Sequence, residues 1–283
     1  MILKIKHWES VLREAGIIAP EAEVCQILEM AAELPAGTGR LVRLGGKRLC
    51  LTPSQEEKIE SLIQRRREGE PLQYLLGCCD FFGRSFLVGP GVLIPRFDTE
   101  ILVQTALETL QGSQRVLDLC AGSGCIGLTL AAETGAEVVL LEKSPQALFY
   151  LQKNAARLGG NVKILCQDVL NSSVDSVFDM IVSNPPYIPC GELPFLPEDV
   201  QKEPRQALDG GPDGLLFYRE ILSHFSEHLC PEGRLLFECG WGQGDVIAGM
   251  MARAGYSGIR KVQDYSGVER VICGVWTPME GVR

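Results

Sequence analysis

One stretch decides the fold: Arg115-Val116-Leu117-Asp118-Leu119-Cys120-Ala121-Gly122-Ser123-Gly124-Cys125-Ile126-Gly127. It is an apolar run of strand length followed by a glycine turn and the start of a helical pattern. Gly122, Gly124 and Gly127 have the spacing G-x-G-x-x-G, which is typical of a turn that holds a nucleotide-like ligand between a strand and a helix. The stretch therefore predicts an α/β domain with a ligand at the carboxyl end of this strand.

Apolar runs of strand length alternate with helical patterns from residue 114 onward. Strands are predicted at 115–120, 136–142, 162–167, 179–184, 233–239, 258–263 and 269–277. This alternation indicates a mostly parallel sheet with helices on both faces, and we expect a Rossmann-like α/β fold with seven strands. The connection at 264–268 is too short for a helical crossover, so the last two strands are expected to pair antiparallel.

The chain before this sheet has a different pattern. In residues 1–70, apolar side chains recur at helical spacing between glycine-rich breaks, which predicts a small N-terminal helical domain. Residues 71–100 alternate aromatic residues with glycines and are expected to form a hairpin linker to the α/β domain at 101–283. Asp98 or Thr99 is predicted to cap the helix that follows. The helical domain carries no catalytic constellation, so we expect it to dock the substrate.

Composition limits the partners and the compartment. The net charge of −9 makes nucleic acid a weaker candidate for direct binding, since protein surfaces that bind nucleic acid are usually basic. No apolar run approaches the roughly 20 residues that span a bilayer, and the N-terminus lacks an export signal, so no membrane contact and a cytoplasmic location are expected.

Cysteine and histidine do not predict a metal site. The chain has 11 cysteines and no C-x-x-C pair, which favours reduced core residues over disulfides or zinc. His224 and His228 have the spacing of metal ligands on a helix, but no third ligand accompanies them, and a solvated helix face is the favoured interpretation. No metal is expected.

Three acidic residues indicate which cofactor the glycine turn holds. Asp118 would repel a pyrophosphate but would attract the cationic amino and sulfonium groups of S-adenosylmethionine, which has no phosphate. Glu142 ends the next strand and can accept both ribose hydroxyls. Asp168 ends the third strand, where it can accept from the adenine amino group while Val169 packs on the ring. The backbone of residues 120–124, which comprise Cys120, Ala121, Gly122, Ser123 and Gly124, is expected to approach the methionine moiety.

A second stretch predicts the position of the substrate: Ile181-Val182-Ser183-Asn184-Pro185-Pro186-Tyr187. Neither proline can donate to a sheet ladder, so Asn184 is predicted to be the last residue of a buried strand. The strand end then offers an amide, carbonyl groups and an aromatic ring. Such a site can accept the hydrogens of an –NH2 group beside the cofactor.

Several segments together resemble the HemK/PrmC family of protein-(glutamine-N5) methyltransferases, which act on peptide chain release factors. The similar segments are Pro71-Leu72-Gln73-Tyr74, Leu93 to Glu100, Asp118 to Gly127, Asn184 to Tyr187, Glu203-Pro204 with Ala207-Leu208, Glu238 to Gly244, and Asp264-Tyr265 with Glu269-Arg270. The resemblance extends from about residue 70 to residue 277. Phe97 replaces a proline that is usual in the family, and Glu142 replaces an aspartate that is common there.

The resemblance implies methylation of the glutamine side-chain amide in the Gly-Gly-Gln motif of a release factor, with S-adenosylmethionine as cofactor. Asn184 Oδ1 and the Pro185 carbonyl are then expected to accept the two amide hydrogens, and Tyr187 to pack on the amide plane. Pro186 completes the predicted substrate site, and Asn184 also faces the cofactor. Catalysis would be mainly positioning and local electrostatics, and no general base is assigned.

Three other functions fit parts of the sequence. A nucleic-acid methyltransferase acting on adenine N6 or guanine N2 would use the same amide and aromatic residues. A dehydrogenase would bind NAD on the glycine turn. A non-enzymatic adaptor would use only the helical domain. The net charge and the segment from Ile94 to Glu100 favour the release factor methyltransferase.

Overall fold

The glycine turn joins the first strand of a seven-stranded sheet to a helix. A computed structural model describes residues 2–277 of the chain. The chain divides into two compact units, Met1–Cys78 with Pro197–Lys202 and Cys79–Leu196 with Glu203–Arg283. Each unit has a hydrophobic core of its own.

The elements are numbered in chain order. The helices are α1 (Ile2–Glu14), α2 (Pro20–Ala31), α3 (Thr38–Arg43), α4 (Pro53–Arg67), α5 (Leu72–Leu76), α6 (Glu100–Leu107), α7 (Cys125–Thr134), α8 (Pro145–Leu158), α9 (Glu198–Gln201), α10 (Leu216–His224) and α11 (Gly244–Arg253). The strands are β1 (Cys78–Phe81), β2 (Arg84–Leu87), β3 (Arg115–Leu119), β4 (Glu137–Glu142), β5 (Val162–Cys166), β6 (Phe178–Ser183), β7 (Leu229–Glu238), β8 (Tyr256–Gln263) and β9 (Glu269–Trp276).

The first unit is helical, as predicted. Helix α4 begins with a capping box, in which the Gln55 backbone N–H donates to Thr52 Oγ1 at 3.2 Å and the Thr52 N–H donates to Gln55 Oε1 at 2.9 Å. Pro53 occupies the first helical position, where its missing N–H removes no hydrogen bond. Burial of one apolar face of each long helix then forms the core, which includes Trp8, Leu12, Val24, Ile27, Leu28, Ile59 and Ile63.

The seven-stranded sheet of the second unit has the order β5-β4-β3-β6-β7-β9-β8. Neighbours from β5 to β7 pair parallel, and β9 pairs antiparallel with both β7 and β8. The predicted fold and the antiparallel final pair are therefore confirmed. Because β3, β4, β5 and β6 all run in one direction, their carboxyl ends meet at one edge of the sheet, where ligands bind in open α/β sheets.

Helices cover both faces of this sheet. Leu102 of α6, Leu128 of α7 and Leu151 of α8 are fully buried in the core on one face. Tyr218 of α10 and Ile247 of α11 are fully buried in the core on the other face. Alternate residues of β3 enter the two cores, which explains why its apolar run is nearly continuous.

Three local predictions differ from the structure. Strand β6 ends at Ser183, so Asn184 lies just beyond the strand. Neither Asp98 nor Thr99 caps α6 with its side chain, because a 3-10 turn over Phe97–Thr99 leads directly into the helix. The helical spacing of apolar residues over 213–229 predicts one helix, but α10 ends at His224 and a second short turn separates it from β7.

Candidate active site

A cavity of about 830 Å³, partly open to solvent, lies at the carboxyl edge of the sheet in the second unit. Most of the predicted site residues line it: Cys120, Ala121, Gly122, Ser123, Glu142, Asp168, Val169, Asn184 and Pro186. The predicted residues Asp118, Gly124, Pro185 and Tyr187 are not part of the lining.

The glycine turn is built by hydrogen bonds within the protein. Gly122 and Gly124 have positive φ angles of 56° and 82°, which favour glycine. The Gly122 N–H donates to Glu142 Oε2 at 2.8 Å, the Gly124 N–H to the Ala121 carbonyl at 2.8 Å, and the Gly127 N–H to Asp118 Oδ2 at 2.9 Å. A pyrophosphate needs free backbone N–H groups. The three glycines of the motif offer none, which argues against a dinucleotide.

Asp118 lies beneath the turn and not in the cavity wall. Its side chain is 0% exposed, and Oδ1 has no hydrogen-bond partner among the described residues. Burial raises the pKa of Asp118 to about 7, although the bond from Gly127 opposes the shift. The expected direct contact with the cofactor stays a prediction. What the structure adds is that this carboxylate holds the start of α7 against β3.

The other two acidic residues reach the cavity. Glu142 Oε2 accepts from Gly122, and its Oε1 accepts from the backbone N–H groups of Lys143 at 2.8 Å and Ser144 at 2.7 Å. Asp168 Oδ2 lies 3.4 Å from Lys143 Nζ, a partly exposed pair. Glu142 therefore fixes the two loops that follow β3 and β4, and both carboxylates lie in the cavity wall.

Asn184 faces the cavity with its side-chain amide anchored at one end. Its Nδ2 donates to Thr99 Oγ1 at 3.2 Å, which leaves Oδ1 as the free acceptor. Pro186 also lines the cavity, whereas Pro185 is buried and Tyr187 is half-buried beside it. The Tyr187 carbonyl accepts from Gln243 Nε2 at 2.9 Å, which fixes the end of this segment. Burial raises the pKa of the Tyr187 phenol, so the ring is neutral.

The segment before α6 was missed as part of the site. Leu93, Ile94, Pro95, Arg96 and Thr99 line the cavity. Glu203 holds this segment, since its Oε2 accepts from the Ile94 N–H at 2.9 Å and its Oε1 pairs with Arg96. The family resemblance of residues 93–100 was the only sequence signal for this wall, and it gave no roles to the individual residues.

The wall around Asp168 also contains residues that sequence reasoning missed. Gln167 adjoins Asp168 in the chain, and Gln206, Ala207 and Phe217 line the same cavity. Gln167 Oε1 is buried and has no hydrogen-bond partner in the described part of the chain. An orphaned acceptor in a cavity wall suits a ligand that carries –NH2 or –OH groups.

Known families cover most of the chain. Residues 4–77 match the PrmC N-terminal domain, and residues 96–194 match the methyltransferase small domain. The release factor glutamine methyltransferase of Salmonella typhimurium is 40% identical over 281 residues, which cover 98% of this chain and 100% of the relative. The chain belongs to the release factor glutamine methyltransferase family.

Other relatives agree with this assignment. The release factor glutamine methyltransferase of Geobacter sulfurreducens is 44% identical over 226 residues, which cover 79% of this chain and 80% of the relative. The crystal structure of a methyltransferase from Pyrococcus furiosus has a TM-score of 0.55 and 20% identity, covering 70% of this chain and 91% of that chain, and shares the fold. The resemblance to the HemK/PrmC family that the sequence motifs indicated is thus confirmed.

Among residues 2–277, no group of three or more His, Cys, Asp or Glu side chains is arranged to hold a metal ion. Within the same range, the helices are all too short or too polar to span a bilayer.

Proposed function

We propose that this chain transfers a methyl group from S-adenosylmethionine to the side-chain amide nitrogen of the glutamine in the Gly-Gly-Gln motif of a peptide chain release factor. The observation that carries the proposal is the anchored amide of Asn184, whose Oδ1 is left as an acceptor at the cavity. The release factor is inferred from the family, because a relative that aligns with 98% of this chain is named a release factor glutamine methyltransferase.

The cavity suits a cofactor that is cationic and carries no phosphate. Its wall contains the carboxylates of Glu142 and Asp168, and the Asp118 carboxylate lies beneath the turn. The unpartnered Gln167 Oε1 provides one more acceptor for the amino and hydroxyl groups of such a ligand. The glycine N–H groups that a pyrophosphate would need are already bonded within the protein.

The residues predicted from sequence are proposed to hold this cofactor as follows. Glu142 would bind the ribose hydroxyls, and Asp168 and Val169 would bind the adenine. The backbone of residues 120–124 and the charge of Asp118 would bind the methionine part. S-adenosylmethionine, when bound, supplies an electrophilic methyl group on a sulfonium sulfur.

Asn184 and its neighbours would present the glutamine nitrogen to that methyl group. Asn184 Oδ1 and the Pro185 carbonyl accept the two amide hydrogens, and Pro186 and Tyr187 hold the amide plane. The nitrogen forms a bond to the methyl carbon, the bond from that carbon to sulfur breaks with its electron pair left on sulfur, and the nitrogen loses one proton to solvent. Holding a weak nucleophile at the right distance is the main catalytic contribution of these residues.

The helical unit is proposed to dock the release factor. It bears no catalytic constellation, and residues 4–77 match the PrmC N-terminal domain. A nucleic-acid substrate is not favoured, since both relatives described above are release factor glutamine methyltransferases.

A parallel assay tests the proposed substrate. The protein is incubated with S-adenosylmethionine that carries a tritiated methyl group, and with purified release factor, DNA or ribosomal RNA. We expect label in the release factor and none in either nucleic acid. Label in nucleic acid alone would contradict the proposal.

The affinity for the cofactor is expected to depend on pH through Asp118. Its raised pKa of about 7 means that the carboxyl is about half protonated at neutral pH, whereas a cationic ligand favours the carboxylate. Binding should therefore release protons near pH 7 and weaken by a few-fold, up to about tenfold, from pH 7 to pH 6.

Calorimetry in buffers of different ionisation enthalpy measures both effects. Asp118→Asn keeps an acceptor for Gly127 and removes the titrating group, so it should abolish the proton release and flatten the pH dependence. A wild-type affinity that is constant from pH 6 to pH 7.5, with no proton release, would refute this role for Asp118. Titration with NAD in the same instrument should give no binding.

A further inference from the structure

The proposed cofactor carries one group that none of the side chains proposed to hold it can pair with. S-adenosylmethionine has positive charges on its sulfonium sulfur and its amino group, and a negative charge on its carboxylate. The carboxylates of Asp118, Glu142 and Asp168 suit the positive charges and the amino and hydroxyl hydrogens, because an ionised carboxylate only accepts. A carboxylate that leaves water needs hydrogen-bond donors, and cationic donors form the strongest bonds with it.

Two cationic side chains line the cavity in the described structure, those of Arg96 and Lys143. Lys143 Nζ lies 3.4 Å from Asp168 Oδ2 and 5.9 Å from the centroid of the Phe217 ring. Lys143 therefore belongs to the part of the cavity where the adenine is proposed to bind. The carboxylate is at the far end of the cofactor molecule from the adenine, so Arg96 is the better placed of the two cations.

Arg96 lies near Asn184, where the methyl group is proposed to be transferred. The Thr99 N–H donates to the Arg96 carbonyl at 3.1 Å across the 3-10 turn, and Thr99 Oγ1 accepts from Asn184 Nδ2 at 3.2 Å. All three residues line the cavity. The methionine chain of the cofactor and its reactive methyl group are bonded to the same sulfur. A methyl group presented to Asn184 therefore places the methionine carboxylate within reach of a long side chain from this turn.

The guanidinium of Arg96 is held in place and still has donors to offer. Arg96 Nη2 pairs with Glu203 Oε1, and Glu203 Oε2 accepts from the Ile94 N–H at 2.9 Å. The Glu203 side chain is 2% exposed, whereas that of Arg96 is 36% exposed. A guanidinium has five N–H donors, and Nη2 is the one nitrogen of Arg96 that has a partner among the described residues. The planar fork can thus bind a second carboxylate with little further loss of conformational freedom.

We propose that Arg96 binds the carboxylate of S-adenosylmethionine through its guanidinium while Nη2 stays paired with Glu203. The inference rests on the proposed function for the identity of the cofactor. A neutral carbonyl of the release factor is the competing acceptor, but a carboxylate forms shorter and stronger hydrogen bonds with a guanidinium. Arg96 thus supplies the positive charge that the acidic side chains of the site lack.

Calorimetry with two ligands tests the contact. Decarboxylated S-adenosylmethionine lacks the carboxylate and keeps the sulfonium, the amino group and the adenosine. Arg96→Gln removes the charge and the fork, so we expect S-adenosylmethionine to bind roughly tenfold to a hundredfold more weakly, the effect of losing hydrogen bonds to a charged group. The affinity for the decarboxylated ligand should stay within about twofold. The ratio of the two affinities should therefore change by roughly tenfold or more, and this change isolates the interaction between Arg96 and the carboxylate.

Arg84→Gln is the matched control. Arg84 Nη2 pairs with Glu133 Oε1 at 2.7 Å in the same unit, its side chain is partly exposed, and it lies outside the cavity lining. Its loss should change neither dissociation constant. A second readout uses the wild type alone, because phenylglyoxal modifies arginine and mass spectrometry locates the product. At equal occupancy, S-adenosylmethionine should protect Arg96 from modification several-fold more than the decarboxylated ligand does.

Each outcome decides the proposal. It is supported if Arg96→Gln changes the affinity ratio and Arg84→Gln does not. Equal weakening of both ligands would show that Arg96 merely supports the cavity wall, and an unchanged affinity for S-adenosylmethionine with a raised KM for the release factor would show that it binds the substrate. Either result overturns the proposal.

If Arg96→Gln does not fold, the wild-type modification decides, and equal protection of Arg96 by the two ligands would overturn the proposal. The proposed function is tested separately. Wild-type protein that methylates no release factor but shows the Arg96-dependent ratio would refute the function and leave this contact standing. Methylation of the release factor with a ratio that Arg96→Gln leaves unchanged would do the reverse.

Discussion

Asn184→Ala is expected to lower kcat for release factor methylation by on the order of a thousandfold, the size of effect seen when one preorganised hydrogen-bonding group is removed from an active site. The substitution removes the acceptor that fixes the substrate nitrogen, and no second asparagine lines the cavity in the described structure. The glycine turn and Glu142 are untouched, so the affinity for S-adenosylmethionine should fall only by a few-fold. Steady-state kinetics and calorimetry measure the two quantities.

Asn171→Ala is the matched control for this experiment. Asn171 is exposed and lies outside the cavity lining, so its loss should change neither quantity. An Asn184→Ala enzyme that retains a tenth or more of the wild-type kcat would show that the amide does not hold the substrate.

The second large effect is expected for Glu142→Ala, which should weaken S-adenosylmethionine binding by roughly a hundredfold or more. The carboxylate is the acceptor for three backbone N–H groups, those of Gly122, Lys143 and Ser144. Its removal leaves these donors unpaired in the cavity wall and also removes the proposed ribose contact, and each lost hydrogen bond to a charged group costs about 1.5–3 kcal/mol. Calorimetric titration gives the dissociation constant.

Glu137→Ala provides the comparison for that variant. Glu137 begins the same strand, is partly exposed, and pairs with Arg115 at 3.3 Å. Surface pairs of this kind contribute little, so cofactor affinity should stay at the wild-type value. Equal affinities for the Glu142→Ala and wild-type proteins would show that Glu142 is not part of the cofactor site.

Much of the fold could be predicted because its determinants are local. The strand, turn and helix around Gly122 are specified by apolar periodicity and by glycines that adopt positive φ. The same reasoning located the carboxyl ends of successive strands, and with them Glu142, Asp168 and Asn184 in one cavity wall.

The position of Asp118 could not be predicted in the same way. The spacing predicted that its carboxylate lies near the glycine turn. It did not predict whether the carboxylate points into the ligand cavity or toward the following helix. The structure turns it toward the first turn of α7, where the Gly127 N–H takes up one oxygen. An added Cβ at Gly127 would lie 2.8 Å from that oxygen, so the glycine is needed for this close approach.

The contact between Thr99 and Asn184 could not be predicted for another reason. A threonine just before a helix predicts a cap, because a local hydrogen bond is the simplest explanation from sequence. In the structure its hydroxyl oxygen instead accepts from Asn184 Nδ2, which is distant in the chain. Glu203, which holds the segment around Ile94 and Arg96, is a similar case. Contacts of this kind depend on tertiary packing that periodicity does not encode.

The most direct test of the central proposal is mass spectrometry of a release factor before and after incubation with the protein and S-adenosylmethionine. We expect one added methyl group, located by fragmentation on the side-chain nitrogen of the glutamine in the Gly-Gly-Gln motif, and none on a release factor in which that glutamine is replaced by glutamate. An unmodified release factor, or a methyl group on any other residue, would contradict it.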